Sequence, residues 1–202
     1  MLEELAGAPG ERLIGDAYWT DVDERFWRTG EPGFWKLERL QVFQEPTNDS
    51  WVAFSRGDWP GALALMESSR EVLAQEYAKQ RANGFDTWRI RVVEQPLTDY
   101  MRWSLRVLLM RDELGDHIRV IDAGRVRPYE VGGVLPELIT LGDDVMYRLL
   151  YDENGLQEGG VRYTGRDLVV RCREFVQGLY GKGESIGEYL AREGILSAQE
   201  QH

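Results

Sequence analysis

The chain has 202 residues, an apolar share of 43% and seven tryptophans, enough for one domain with a full core. Its formal net charge of −11 argues against direct nucleic-acid binding, which needs a basic surface to neutralise phosphates, and against anionic membranes. No apolar run reaches the ~18 residues needed to span a bilayer. The opening MLEELAGAPGERL lacks the basic start and apolar centre of a signal peptide, so a cytoplasmic protein is expected.

Residues 1–14, rich in Gly, Ala and Glu, read as an arm. Asp16 to Arg28 reads as a helix with Tyr18, Trp19, Val22, Phe26 and Trp27 as its apolar surface, ended by Gly30, Pro32 and Gly33. FWKLERLQVF alternates loosely and predicts a first strand. Asn48-Asp49-Ser50 and Asp58-Trp59-Pro60 are helix starts. From Trp59, Ala62, Leu63, Met66, Leu73 and Tyr77 fall on one stripe and predict a helix that Asn83-Gly84 ends.

Asp86 to Val93 is the clearest strand, because Trp88, Ile90 and Val92 alternate with Arg89 and Arg91. Gln95-Pro96 stops it, since proline has no N–H for a ladder. Thr98 or Asp99 then caps a helix to about Met110, with Trp103, Val107 and Met110 along one face. His117 to Ile121 reads as a strand and Arg125 to Gly133 as a loop. Leu138–Leu141 and Val145–Tyr151 read as strands. Asp152-Glu153-Asn154-Gly155 is a hairpin turn, with Gly160–Tyr163 returning. Helices over Asp167–Tyr180 and Ile186–Arg192 precede a frayed tail. With no repeat and no long linker, these elements predict an α+β fold, a single mixed sheet with helices packed on it. Residues 1–30 form an arm and helix, 31–183 the core, and 184–202 a C-terminal helix and tail.

Much chemistry is missing. Of two histidines, His202 is terminal, so a His-rich metal site is excluded and a Ser–His pair would rest on His117 alone. There is no P-loop, no GxGxxG between strand and helix, and no GxSxG elbow. Gly159-Gly160 reads as a bulge or turn. Cys172, in VVRCREF, reads as a small core residue. The acid groups Asp21/Asp23/Glu24, Asp143/Asp144 and Asp152/Glu153 read as solvated turns. No metal and no cofactor is expected.

What remains is a cationic corner. If the FWKLERL strand lies beside the Arg89/Arg91 strand, alternation puts Lys36, Glu38, Arg89 and Arg91 in one cross-strand cluster, with Tyr100 and Arg102 close behind. Adjacent guanidiniums are costly to bury without anionic partners. Two readings stand. In one, Glu38 and Asp99 neutralise the arginines and pin the sheet to its helix. In the other, three cations outnumber the acids and receive a carboxylate or phosphate, walled by Trp51, Trp59 and Tyr100.

The segments FWKLERLQVF, SWVAF, WRIRVVEQPLTDYMRWSL, IRVID and VMYRLLYDENGLQEGGVRY resemble a family of uncharacterised actinobacterial proteins, the domain-of-unknown-function 6879 family. The similarity covers about residues 34–180. Members are often encoded near helix-turn-helix regulators, so the resemblance implies a bacterial, cytosolic and regulatory protein, and it brings no catalytic residues with it. A more distant resemblance is to the phospholipase-D-like fold. There a strand of the IRVID type precedes a strand–Asp–Asp hairpin and C-terminal helices. Where catalytic members carry HxKxxxxD, this chain has LPELITLGDD, which implies a degenerate, ligand-sensing relative.

The leading expectation is therefore a non-catalytic binding module that recognises an anionic small molecule or a protein partner, such as a helix-turn-helix regulator. Its contacts would be Lys36, Glu38, Trp51, Arg89, Arg91, Asp99, Tyr100 and Arg102. An enzyme of specialised metabolism with Tyr100 or His117 as proton carrier is the alternative. A third reading is a homodimeric scaffold that pairs through the tryptophan-rich N-terminal segment.

Overall fold

In the computed structural model, which describes residues 2–195, eight strands form one mixed sheet in the order β1-β7-β6-β5-β2-β3-β4-β8. The strands are β1 (Glu11–Ile14), β2 (Phe34–Glu38), β3 (Thr87–Val93), β4 (Asp116–Asp122), β5 (Leu138–Leu141), β6 (Val145–Tyr151), β7 (Gln157–Tyr163) and β8 (Glu184–Ser185). Only β2-β3 and β3-β4 pair in parallel, and every other neighbour is antiparallel. The helices are α1 (Leu2–Gly7), α2 (Asp16–Phe26), α3 (Asp49–Ser55), α4 (Trp59–Ser68), α5 (Arg70–Ala82), α6 (Asp99–Leu114), α7 (Ala123–Val126), α8 (Arg166–Tyr180) and α9 (Ile186–Arg192). The α+β architecture is the expected one. No helix among the described residues is long and apolar enough to cross a membrane.

Alternation along the strands decides which helix covers which face. Trp35, Leu37, Ile90, Val92 and Ile121 point to one side and pack with Val169, Cys172, Val176 and Leu179 of α8. On the other side, Val93, Ile118 and Val120 pack with Met101, Leu105 and Leu108 of α6 and with α9. On the same side but over β5–β7, α2 lays Tyr18, Val22 and Phe26 against Ile139, Leu141, Tyr147 and Leu149. In between, this face of β2 has no helix lying on it, while its other face packs on α8. Lys36 and Glu38 therefore face the gap between the α6 cover and the α2 cover.

Local chemistry explains the helix starts. The Asn48 side chain accepts N–H bonds from Ser50 and Trp51, Asp58 accepts from Gly61, and Thr98 accepts from Met101. Four expectations are refined. The arm is ordered, because Glu11–Ile14 pairs with β7. Gly159-Gly160 is within strand β7 and not a turn; the bulge half of the expectation fits a register shift beside Gly159, where Leu150 pairs with Gly159 and Tyr151 with Gln157. A Cβ on Gly159 would meet the Leu13 carbonyl oxygen at 2.2 Å. The missing side chain is what lets the β1 backbone dock. The Trp59–Ala82 stripe is two helices, since Ser69 turns its hydroxyl back onto the Met66 carbonyl at 2.7 Å and breaks the run. The Arg125–Gly133 segment contains the end of α7 and a short 3-10 turn at Arg127–Tyr129. The frayed tail and His202 lie outside the described residues.

Candidate functional site

The gap over β2 is a cleft of about 230 Å³. Its floor is Lys36, Glu38 and Arg89, and parallel register sets Lys36 beside Arg89 and Glu38 beside Arg91. Glu38 Oε1 receives both Lys36 Nζ at 2.7 Å and Arg89 Nη1 at 2.8 Å. The second arm of Arg89 reaches Asp116 Oδ2 at 3.3 Å, where the Tyr77 hydroxyl also donates. Burial alone would raise Glu38, but the charges of Arg89, Lys36 and Arg91 overcome it and hold the carboxyl well below its ordinary range. Burial likewise opposes the charge on Arg89, while Glu38 and Asp116 keep it firmly protonated. Removing one partner of such a buried pair costs about 3–5 kcal/mol. Arg89 is thus committed to the protein.

Arg91 sits deeper. It is 0% exposed, with Nη2 2.7 Å from Met101 Sδ and its guanidinium 5.4 Å from the Phe43 ring centre. Its Nε and Nη1 have no hydrogen-bond partner among the described residues. Facing the same region is Glu137, whose Oε1 accepts the backbone N–H groups of Arg39 at 2.5 Å and Leu40 at 2.6 Å. Glu137 Oε2 has no hydrogen-bond partner among the described residues. Burial pushes this carboxyl up to about 7, against the pull of the Arg91 charge.

The cleft's long wall is α6. Tyr100, Trp103, Ser104, Val107, Leu108 and Arg111 line it, and their three- and four-residue steps make one helix face. The Tyr100 hydroxyl donates to Glu45 Oε1 at 2.7 Å. Burial and the Glu45 charge push this phenol above its ordinary range, so it holds its proton. Trp103 is fixed by its indole N–H on Ser50 Oγ at 3.0 Å. Arg111 lines the cleft, and among the described residues it has no ion pair or side-chain hydrogen bond.

The sequence-predicted residues separate as follows. Lys36, Glu38, Arg89 and Tyr100 come together in the cleft, and Arg91 lies behind it. Asp99 and Arg102 are exposed on α6 and do not line it. The acid on Arg89 besides Glu38 is Asp116, not Asp99. Trp51 and Trp59 pack against the core under α6 rather than walling the site. His117 is on the opposite sheet face, its ring 5.4 Å from Trp88. Arg111, Glu45, Phe43, Tyr151 and Gln157 were not anticipated. Helical spacing from Tyr100 would have found Arg111, whereas Glu45, Phe43 and Gln157 come from loops and a distant strand with no such signal.

Other candidates are structural. Cys172 is fully buried and its thiol is pushed up to about 11 by burial. Asp143 binds Arg173 at 2.8 Å and Arg166 at 3.2 Å. Asp21 accepts from Tyr147, Arg25 and Arg162.

Residues 20–191 match the family described as Domain of unknown function (DUF6879). The chain belongs to the DUF6879 family. The match runs from α2 into α9, so the whole cleft lies within the DUF6879 domain, while β1 lies outside it. Among curated proteins, no relative matches the chain.

Proposed function

We propose that this DUF6879 domain is a non-catalytic binding module whose cleft takes a small molecule through an anionic group. One observation carries this: among the described residues Arg111 has no carboxylate partner, and it lines the same cleft as Lys36, which shares its carboxylate with Arg89. These two side chains keep N–H donors for an incoming carboxylate or phosphate. Of the anticipated cations Lys36 thus keeps its part in the anion contact, and Arg111 takes the place of Arg89, Arg91 and Arg102. An enzyme is less well supported, since Tyr100 holds its proton and His117 is across the sheet. A regulatory role beside a helix-turn-helix protein in an actinobacterial cytoplasm is part of this proposal on family resemblance. The β4–β5–Asp143-Asp144–β6 succession followed by helices supports the phospholipase-D-like comparison in the same way. A homodimeric scaffold is the second reading, favoured by Trp19, which is 50% exposed in the N-terminal segment.

Titration calorimetry with inorganic phosphate and with citrate tests the binding role. Arg111→Ala is expected to weaken binding by about tenfold or more, the worth of one charge-assisted hydrogen bond. Arg102→Ala, on the outer face of α6, should bind like the unaltered protein. Equal effects of both substitutions would count against the site.

A further inference from the structure

Two short segments outside the cleft expose large apolar side chains and carry opposite charge. The first is the start of α2. Ile14 and Trp19 are exposed there. Asp16 and Asp23 stand three residues before Trp19 and four after it, so they flank it on one helix stripe. Both acids are exposed, and among the described residues neither makes an ion pair. The nearest exposed cation earlier in the chain, Arg12, lies beyond Ile14 on β1. The Trp19 ring is set edge-on against the buried Tyr18, 4.8 Å between ring centres. The second segment is the turn after α7. Val131 is 80% and Val134 58% exposed, and Tyr129 is exposed beside them. Arg125 and Arg127 lead into this turn, and Lys182 Nζ donates to the Tyr129 hydroxyl at 2.5 Å. All three cations are exposed, and among the described residues none makes an ion pair. The acid within the turn, Glu130, is spent on Arg39 at 2.7 Å and on the Leu135 N–H at 3.1 Å. Those bonds and the Tyr129–Phe175 ring contact at 5.4 Å hold the turn in place.

The two patches lie on opposite sides of the sheet, since α2 covers the face shared with α6 while Phe175 belongs to α8 on the other face. They cannot meet within one chain. Each offers what the other lacks: apolar anchors ringed by acids on one side, apolar anchors ringed by cations on the other. In a chain of net charge −11, a cluster of three unpaired cations beside exposed valines selects an acidic, apolar partner, and the Trp19 patch is one. We propose that this protein self-associates head to tail, the Trp19 patch of one copy covering Val131 and Val134 of the next. Asp16 and Asp23 then face Arg125, Arg127 and Lys182. Such a contact is heterologous, so copies add into an open chain or close into a ring. A two-fold pairing of N-terminal segments would instead set acids against acids. Anchors already fixed by Tyr18 and by Phe175 lose little freedom on docking. Neither patch contains a residue that lines the cleft, so the inference is independent of the anion-binding reading.

The test is sedimentation velocity of the full chain over a concentration series, with Trp19→Ala and Val131→Asp measured alone and mixed in equal amounts. The unaltered protein is expected to show masses above the monomer that grow with concentration. Each variant alone should sediment as a monomer. The mixture should regain a dimer, because Trp19→Ala keeps the basic patch and Val131→Asp keeps the acidic one. Both positions are exposed, so circular dichroism should show both variants folded. Arg127→Glu is a second change to the basic patch and should behave like Val131→Asp. A protein that stays monomeric into the millimolar range would overturn the proposal. So would oligomers that persist in Val131→Asp and Arg127→Glu, or a mixture of two folded variants that stays monomeric.

Discussion

Glu137 places two backbone N–H groups on one carboxylate oxygen and none on the other, at 3% exposure. Burial raises its pKa from an ordinary 4.5 to about 7. A raised carboxyl binds its proton more tightly in the folded state. The stability it contributes is full below about pH 4.5 and is lost as pH rises through 7, a change on the order of 3 kcal/mol. Glu38 is lowered instead, so its contribution is lost only at more acid pH. Urea unfolding at pH 5 and pH 8 should therefore show the unaltered protein losing stability with pH and Glu137→Gln losing less. Matching pH dependence in both would refute the assignment. At this scale the Lys36–Glu38–Arg89 cluster was legible, because period-two alternation on two strands leaves few choices once the strands are neighbours. Asp116 was not, because the strand was expected to begin at His117 and so excluded the residue that neutralises Arg89.

Among the elements, α6 is the one on which the cleft depends most, and Thr98 holds it twice. The Thr98 hydroxyl accepts the Met101 N–H at 3.1 Å and donates to the Gln41 carbonyl at 3.0 Å. The first bond caps the helix, and the second ties it to the loop that carries Phe43 and Glu45. Thr98→Ala is expected to cost about 1–2 kcal/mol in urea unfolding, and Thr98→Ser much less. A loss in Thr98→Ala no larger than in Thr98→Ser would contradict this role. Most elements could be read from caps and periodicity. β1 could not, since its four residues show no buried face and it exists through docking on Gly159-Gly160. The α4/α5 break was hidden for the opposite reason: the apolar stripe runs on in sequence while Ser69 breaks the backbone.

Across the whole molecule, the cleft follows from how the sheet is covered. α6 with α9 covers the parallel half, α2 covers the antiparallel half, and β2 lies at the junction where parallel pairing meets antiparallel pairing. Charged residues are tolerated on β2 because it faces that junction, where Glu38 pairs with Lys36 and with Arg89 of β3. The loops and β7 complete it with Glu45 and Gln157, which no local pattern joins to Lys36. The most direct test is a two-dimensional amide NMR titration of the full chain with phosphate and with citrate. The account predicts shifts concentrated in β2, residues 43–45, the cleft face of α6 and residues 151–157. Shifts centred on α8 and the Trp88–His117 face, or none at saturating ligand, would contradict it.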